Sequence, residues 1–360
     1  MKRLAEKRPQ WRQLAHHGPL FPPPYVPLPR RVQLLYDGRP VRLAPAAEEA
    51  AGFFARLLEH PDVARPRFRA NFFREWRQVM SEKERQLITD LDKCDFSAIA
   101  AHYAEEAELR KKMSKEDRKK LRLERENLRE TFGYCWVDGR RQRVGNYRVE
   151  PPGLFLGRGD HPQAGRLKQR VQPEDVVINV GEDTPKPPAG HRWSEVRHDT
   201  SVTWLASWTD SVLGKTKYVQ LNPDSRLRSR RDIEKYEAAR RLGAHIDKIR
   251  QQYQQGWKSK NLLERQTAVA LYFIDKLALR VGTEKEPGLA ADTVGCCLLR
   301  AEHVQLRPPR SVHLDFPGKD GVRYRKDVTV PPAVYNNIAV FRAGKLPGQR
   351  LFDLLSASCP

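Results

Sequence analysis

The chain has 360 residues, more than one globular domain usually holds, so two or three domains are expected. Its 66 lysines and arginines outnumber 45 aspartates and glutamates, and the net charge of +21 favours a polyanionic partner, nucleic acid first. No apolar run reaches the roughly 18 to 20 residues that span a bilayer, so no membrane partner is expected. The five cysteines form no CxxC pair and are too few for a disulfide scaffold, so we expect a reducing compartment.

The N-terminal segment MKRLAEKRPQWRQL is basic and has no apolar stretch. A secretory signal is therefore not expected, and Glu6 together with the lack of serine argues against a transit peptide. The expected location is the nucleus, with the mitochondrial matrix as the alternative.

Residues 18–29, GPLFPPPYVPLP, hold too many prolines for a helix or a central strand and predict an extended, polyproline-like connector packed through Phe21 and Tyr25. A ligand for a proline-binding domain is the less favoured alternative. The segment VQLLYDGRPVRL then predicts a hairpin, because Asp37 and Gly38 separate two alternating stretches.

Helical patterns follow over residues 46–107, and MSKEDRKKLRLERENLRETFG predicts a further helix. Ser114 and Asp117 have the spacing of a capping box at its start, and Gly133 is its expected stop. The dense mixed charge favours a solvated connecting helix over one that tracks phosphates.

From Tyr134 the pattern changes to strands. YCWVDGRRQRVGNYRV carries a second Asp-Gly turn, and SVTWLASWTDSVLGKTKYVQL alternates apolar and polar residues around a turn. Helices are expected again from about Asp232, and HLDFPGKDGVRYRKDV predicts a closing hairpin.

Several kinds of site are missing from the sequence. We find no Walker P-loop, no GxSxG and no HExxH, and the histidine and cysteine spacings match no zinc pattern. No metal and no cofactor are therefore expected.

Two basic patches are candidate phosphate contacts, although either could be ordinary solvated surface. In the first, glycines let the backbone approach phosphates closely. Its basic residues are Arg158, His161, Arg166, Lys168 and Arg170. The second is expected to place Lys215, Lys217 and Tyr218 on a strand and Arg226, Arg228, Arg230 and Arg231 in the loop beyond it.

The apolar segment ALYFIDKLALRVGTEKE raises the question of why Arg280 stands inside it. The periodicity predicts a helix buried on more than one side, with Arg280 in its last turn before Gly282. One helical face would carry Leu271, Ile274, Ala278 and Val281, with Phe273 and Leu277 elsewhere. From spacing alone, Arg280 either satisfies the helix dipole, the slightly favoured reading, or is aimed rigidly at an anion.

These motifs resemble the eukaryotic type IB DNA topoisomerases. The resemblance lies first in ALYFIDKLALRVGTEKE, ADTVGCCLLRAEHV and FPGKDGVRYRKDV. It continues in DKCDFSAI, VEPPGLFLGRGDHP, PEDVVINV, VTWLASWT and DKIRQQYQQGWKSK, so it covers residues 11–353.

The resemblance implies an α+β, bilobed clamp around double-stranded DNA, acting as a monomer. It has a helical cap lobe, a β-rich middle lobe and an incomplete helical catalytic lobe similar to that of tyrosine recombinases. We expect the N-terminal part of the β-rich core lobe at 1–26, the cap lobe at 27–114, the connecting helix and core lobe at 115–225, and the catalytic lobe at 226–360. The family relaxes supercoils without ATP through a transient 3′-phosphotyrosyl link.

Two of the family's catalytic groups carry over by motif. Arg280 matches the first catalytic arginine, which stabilises charge on the non-bridging phosphate oxygens, and Lys319 in PGKDG matches the lysine that protonates the departing 5′-oxygen. The positions expected near the cleavage site are Asp320, Phe155, Gly157 and Arg158. Leu156 stands where the family usually has an arginine, so the resemblance does not carry that arginine's DNA contact over to this chain.

The sequence departs from the family after LFD, where it reads LFDLLSASCP instead of the helices that carry a second arginine, a histidine and the tyrosine. None of the 11 tyrosines lies in the family's nucleophile context. We therefore expect these 360 residues, a fragment or splice form, to relax no supercoils alone. The alternatives are a non-enzymatic clamp that competes with a complete enzyme, and a recombinase-like enzyme with an unconventional nucleophile.

Overall fold

The computed structural model describes residues 9–285 and 288–356 and has a mixed α+β architecture. It forms two compact units. The first unit holds the chain up to Leu156 together with Gln163–Glu234. The second unit holds the short segment Gly157–Pro162 and the chain from Lys235 onward. The lobe boundaries set out above remain a prediction.

The first unit contains a helical part built around stacked aromatic rings. The ring centroids of Phe54 and Phe72 lie 4.3 Å apart, and those of Phe72 and Trp76 lie 5.4 Å apart. The indole of Trp76 donates to the Ala47 carbonyl, so its buried polar atom is satisfied. The elements of this part are β2 (Leu34–Tyr36), β3 (Arg39–Val41), α1 (Pro45–Ala55), α2 (Pro66–Val79), α3 (Glu82–Leu87), β4 (Cys94–Asp95) and α4 (Ser97–Lys111).

The charged helix is confirmed as α5 (Lys115–Phe132), and it is capped as predicted. The Ser114 hydroxyl accepts a bond from the Asp117 amide at 3.0 Å, and Gly133 follows the last helical residue. No residue of α5 is buried, which agrees with a solvated connecting helix.

The rest of the first unit is mostly strand. The strands are β1 (Leu14–His16), β5 (Tyr134–Val137), β6 (Arg140–Arg143), β7 (Gly153–Leu154), β8 (Leu167–Lys168), β9 (Val177–Asn179), β10 (Glu195–Arg197), β11 (Trp204–Thr209) and β12 (Thr216–Gln220). They form sheets of order β1-β5-β6, β10-β9-β11-β12 and β7-β8, while β3-β2-β4 belongs to the helical part.

Both predicted Asp-Gly hairpins are confirmed, because β2 pairs with β3 and β5 pairs with β6. Asp37 and Asp138 have φ of 51° and 50°, and the glycine after each is left-handed as well. Two successive positive φ values are what a two-residue hairpin turn requires.

The proline-rich connector is also confirmed as extended chain without helix or paired strand between Phe21 and Pro29. The Phe21 ring stacks on Trp193 with centroids 6.1 Å apart, and the Tyr25 hydroxyl donates to Glu48 at 2.7 Å.

Helix α6 (Arg226–Gly243) runs across the boundary of the units. The second unit then packs α7 (Ile246–Gly256), α8 (Leu262–Leu277) and α9 (Pro332–Arg342) with the antiparallel sheet β13 (Val304–Arg307), β14 (Ser311–Pro317) and β15 (Arg323–Thr329). Phe273, Leu314, Ile338 and Phe352 are among the buried side chains of its core.

Two local predictions were wrong. The basic residues from Arg226 to Arg231 lie in the first turns of α6 and not in a loop, because arginine is a good helix former and the Arg228 guanidinium is held by the Leu221 carbonyl at 2.8 Å.

The second error concerns α8, which ends at Leu277, since Ala278 adopts a left-handed conformation with φ of 54°. Arg280 therefore follows the helix and is not in its last turn. The buried face of α8 carries Phe273 and Leu277, while Leu271 is 40 % exposed.

Across the described ranges, no helix is both long and apolar enough to cross a membrane.

Candidate nucleic-acid interface

Lys319 lies at the tip of the β14–β15 hairpin, in the second unit. The strands pair as far as Pro317 and Arg323, and the Gly318 amide donates to the Val322 carbonyl at 2.8 Å, which closes the turn. Asp320 and Gly321 are left-handed, with φ of 64° and 75°. The turn thus carries an exposed lysine on a backbone fixed by a seven-residue strand on each side.

Arg280 is held by its backbone, because its carbonyl accepts from the Cys296 amide at 2.7 Å and the Val281 carbonyl accepts from Cys297 at 2.9 Å. A Cβ on Gly295 would lie 2.5 Å from the Gly282 Cα, so this close approach requires glycine. The segment that carries Arg280 is therefore fixed against residues 295–297, with its side chain exposed.

The same short segment also holds the base of the lysine hairpin. The Val294 amide donates to the Pro317 carbonyl at 2.9 Å, one residue before the turn that carries Lys319. Residues 294–297 therefore bond to both neighbourhoods through main-chain atoms. The two predicted catalytic cations share one backbone scaffold, which the sequence alone did not show.

The segment Gly157–Pro162 lies against the turn of the same hairpin. The Arg158 guanidinium pairs with the Asp320 carboxylate at 2.6 Å, and a Cβ on Gly321 would lie 3.2 Å from the Gly159 Cα. Predicted site residues Gly157, Arg158, Lys319 and Asp320 are thus brought together within the second unit. His161 in this segment is buried, with 9 % of its surface exposed, and its DNA contact remains a prediction.

The described part of the chain offers neither Arg280 nor Lys319 an ion-pair partner. Among residues 9–285 and 288–356, no acidic side chain lies within ion-pair distance of Arg280 or Lys319, whereas Arg323 and Arg325 both pair with Asp315. The hydrogen bonds from Arg323 and then Arg325 lower the pKa of Asp315 to about 2, so it stays ionised. Within the described ranges, no carboxylate competes with an external anion for Arg280 or Lys319.

In the first unit the other predicted residues lie on or near β12 and β8. The Lys168 ammonium pairs with Glu150 at 2.9 Å, and Lys217 lies 3.8 Å from Glu150 and 3.7 Å from Asp210. These lysines are partly neutralised, so their phosphate contacts would be weaker than net charge suggests.

Three further predicted residues belong to this unit. Tyr218 is 44 % exposed, with its ring centroid 5.9 Å from that of Trp204. Arg228 is held at the start of α6 by the Leu221 carbonyl. Phe155 is half-buried, and its amide donates to the Arg166 carbonyl at 2.8 Å.

Sequence reasoning missed the supporting residues Val294, Gly295, Cys296 and Cys297. The signal available was the GCC triplet, in which a glycine precedes two small residues, but nothing local indicated what it packs against. Within the described ranges, no three histidine, cysteine, aspartate or glutamate side chains cluster in a way that could hold a metal ion.

A second support lies further back on α8, where Asp275 accepts bonds from Arg250 at 3.0 Å and from the Tyr253 hydroxyl at 2.9 Å. The Arg250 bond above all, then the Tyr253 bond, lowers the pKa of Asp275 to about 2. This network ties α7 to the helix that leads into Arg280.

Replacing Asp275 with asparagine is expected to lower the free energy of unfolding by about 1 to 2 kcal/mol at neutral pH, because three hydrogen bonds to a charged group, two from Arg250 and one from Tyr253, are weakened or lost. The folded pKa is depressed, so the stabilisation is present above the unfolded value near 4 and is lost as pH falls toward about 2. Urea denaturation of both proteins over this range measures the difference. Asp247→Asn is the matched control, since Asp247 is 89 % exposed and lies 3.8 Å from Arg250. An equal loss in both variants, or a loss that does not shrink in acid, would contradict the network's role.

Comparison with known proteins covers nearly the whole chain. Residues 9–221 match the family model described as "Eukaryotic DNA topoisomerase I, DNA binding fragment", and residues 224–359 match "Eukaryotic DNA topoisomerase I, catalytic core". The chain is 53 % identical over 356 residues to the human protein "DNA topoisomerase I, mitochondrial", covering 97 % of this chain and 59 % of that protein. It is 51 % identical to "DNA topoisomerase 1" of Xenopus laevis, covering 97 % of this chain and 43 % of the relative. It is 50 % identical to "DNA topoisomerase 1" of Mus musculus, covering 96 % of this chain and 46 % of the relative.

Proposed function

Because the chain belongs to the eukaryotic DNA topoisomerase I family, we propose that its 360 residues form the part of a type IB topoisomerase that binds duplex DNA and holds the scissile phosphate. The observation that carries this proposal is the backbone scaffold of residues 294–297, which fixes Arg280 and the Lys319 hairpin together. The chain spans 59 % or less of the length of the relatives named above, so the activity of a whole enzyme is itself part of the proposal.

The proposed role of Arg280 is electrostatic. Its guanidinium would contact the non-bridging oxygens of the phosphodiester and stabilise the charge that builds up on them during attack. A fixed backbone matters here because a cation that must reorganise during the reaction loses much of its effect. The close Gly282 and Gly295 approach supplies that rigidity.

The proposed role of Lys319 is general acid catalysis. In the complete family a tyrosine hydroxyl attacks phosphorus, the bond from phosphorus to the 5′-oxygen breaks, and a 3′-phosphotyrosyl link forms. The ammonium of Lys319 would give its proton to the departing 5′-oxygen, and the reverse steps would reseal the strand. Its place at an exposed hairpin tip fits an approach to the DNA groove.

Around this centre we propose a bilobed clamp that binds DNA as a monomer, with cap, β-rich core and catalytic lobes at the bounds predicted above. Contacts with DNA would come from Gly157, Arg158, Asp320 and the residues of the first unit. Those residues are Phe155, Lys168, Lys217, Tyr218 and Arg228, and His161 of the second unit would add a further contact. The location would be the nucleus, with the mitochondrial matrix as the alternative. The name of the 53 % identical human relative places that protein in mitochondria, and the names of the Xenopus and mouse relatives give no location.

The 360-residue polypeptide alone is expected to bind duplex DNA without relaxing it. The cations supply affinity, but the covalent route needs the tyrosine, which the family places in a C-terminal context that these residues do not contain. A gel shift at increasing salt measures binding, which should weaken steeply as counterions compete for the phosphates. Supercoiled plasmid incubated without ATP tests relaxation.

Each outcome of that pair of assays decides between the readings. Salt-dependent binding without a covalent adduct supports the proposal. If the chain also slows a complete topoisomerase in the same plasmid assay, that result favours the non-enzymatic clamp that competes with a complete enzyme. Relaxation by this chain alone, or a phosphotyrosyl adduct on one of its 11 tyrosines, would contradict the proposal that the 360 residues bind DNA without supplying the nucleophile.

A further inference from the structure

The connector formed by residues 22–29 has an exposure pattern with a period of three. Half-buried residues recur at Pro22, Tyr25 and Leu28, and the residues between them are exposed, Val26 to 80 %. A polyproline II helix has three residues per turn, so this pattern seats one edge of such a helix on the first unit. The other two edges face solvent.

The seated edge is held by specific bonds. The Tyr25 hydroxyl and the Leu28 amide both donate to Oε1 of Glu48, at 2.7 and 2.8 Å. On the other side Arg170 donates to the Pro23 carbonyl at 2.7 Å and pairs with Glu49. The extended conformation is therefore fixed before any partner arrives, which lowers the ordering cost of binding.

The solvent-facing residues have the spacing of a known recognition chemistry. Pro24 and Pro27 form a P-x-x-P pair, and each follows an exposed apolar residue, Pro23 or Val26. Preformed P-x-x-P segments dock into the aromatic-lined grooves of SH3-type domains. The intervening residue that is half-buried here, Tyr25, occupies a position that such a groove does not need to contact.

A groove that reads Pro-Pro-x-Tyr, as WW domains do, fits less well. The sequence Pro22 to Tyr25 contains that pattern, but its tyrosine is half-buried and bonded to Glu48. Docking through the tyrosine would require it to leave this bond. The geometry thus favours the exposed Pro24 and Pro27 over Tyr25 as the residues that a partner recognises.

The positive charge that follows Pro24 and Pro27 in the sequence also suits binding to an SH3-type groove. Arg30 and Arg31 are exposed, and over the described part of the chain no carboxylate lies within ion-pair distance of either. A partner whose groove ends in an acidic rim would complement them.

We propose that residues 23–29 are a preformed docking ligand for a partner protein with an SH3-type, aromatic-lined groove whose acidic rim faces Arg30 and Arg31. This proposal does not depend on DNA binding.

The test uses panels of purified SH3 domains and purified WW domains, with binding of the folded 360-residue chain measured by surface plasmon resonance. At least one SH3 domain is expected to bind. The double variant Pro24→Ala/Pro27→Ala and the single variant Val26→Asp should each weaken that binding by about tenfold or more, since they remove the central anchors. All these side chains are exposed, so the variants should remain folded, which thermal melting checks.

Val340→Asp is the matched control, because Val340 is an exposed valine on α9, at 51 %, and belongs to the second unit, whereas the connector belongs to the first. Binding should be unchanged in this variant. Failure of every SH3 domain to bind, SH3 binding that survives the double variant, or binding by WW domains alone would each overturn the proposal.

Discussion

Replacing Gly165 with alanine is expected to unfold the first unit or destabilise it by about 4 kcal/mol or more. A Cβ at this position would lie 2.1 Å from the carbonyl oxygen of Phe68 on α2, and the backbone has a φ of +90°. Backbone cannot move aside as a flexible side chain can, and the neighbouring Ala164 carbonyl is itself fixed by Asn71 at 2.8 Å. Thermal melting and limited proteolysis of the first unit measure the effect.

The matched control separates the clash from backbone strain. Gly190 has a φ of +80°, but no atom lies within 4 Å of a Cβ placed there. Gly190→Ala should therefore cost only the left-handed penalty of about 1 to 2 kcal/mol. Similar losses for the two variants would show that contact with the Phe68 carbonyl is not what makes glycine necessary at position 165.

Removing Arg280 is expected to have the largest effect on chemistry. If the proposed function is correct, a chimera joining residues 11–353 of this chain to the C-terminal region of the human relative should relax plasmid DNA. Arg280→Ala should then lower the cleavage rate by about 100- to 1000-fold, because one preorganised donor to the developing charge is lost. Lys319→Ala should lower it by about 100- to 10,000-fold through loss of the general acid.

A single-turnover cleavage assay on a defined duplex measures both effects, and a parallel gel shift measures affinity. Affinity should change little, since each variant removes a single cation of the 66 lysines and arginines. Lys83→Ala, an exposed lysine on α3, is the control and should leave cleavage unchanged. A fall in cleavage explained wholly by weaker binding would contradict the proposed roles.

Local chemistry was enough to predict much of the fold. The Asp-Gly hairpins, the Ser114 cap and the proline-rich connector all follow from the φ values or hydrogen bonds that those residue types favour within a few positions. The net charge likewise pointed to a polyanion without any knowledge of the fold.

Other features depend on residues far apart in the chain. The end of α8 was placed wrongly because Ala278 takes a left-handed conformation that alanine does not favour by itself. Beyond it, the carbonyls of Arg280 and Val281 are bonded by Cys296 and Cys297. Only the packed structure offers that compensation.

The sequence by itself determined the hairpins, the caps, the basic character and the motifs that carry Arg280 and Lys319. Only the tertiary structure decided that residues 294–297 bond to both neighbourhoods, that Arg158 meets Asp320, and that the connector exposes two edges of three. The physical reason is the separation along the chain of the residues that interact. Turn and cap preferences act within a few residues, whereas main-chain bonds and ion pairs between distant segments form only when the core brings them together.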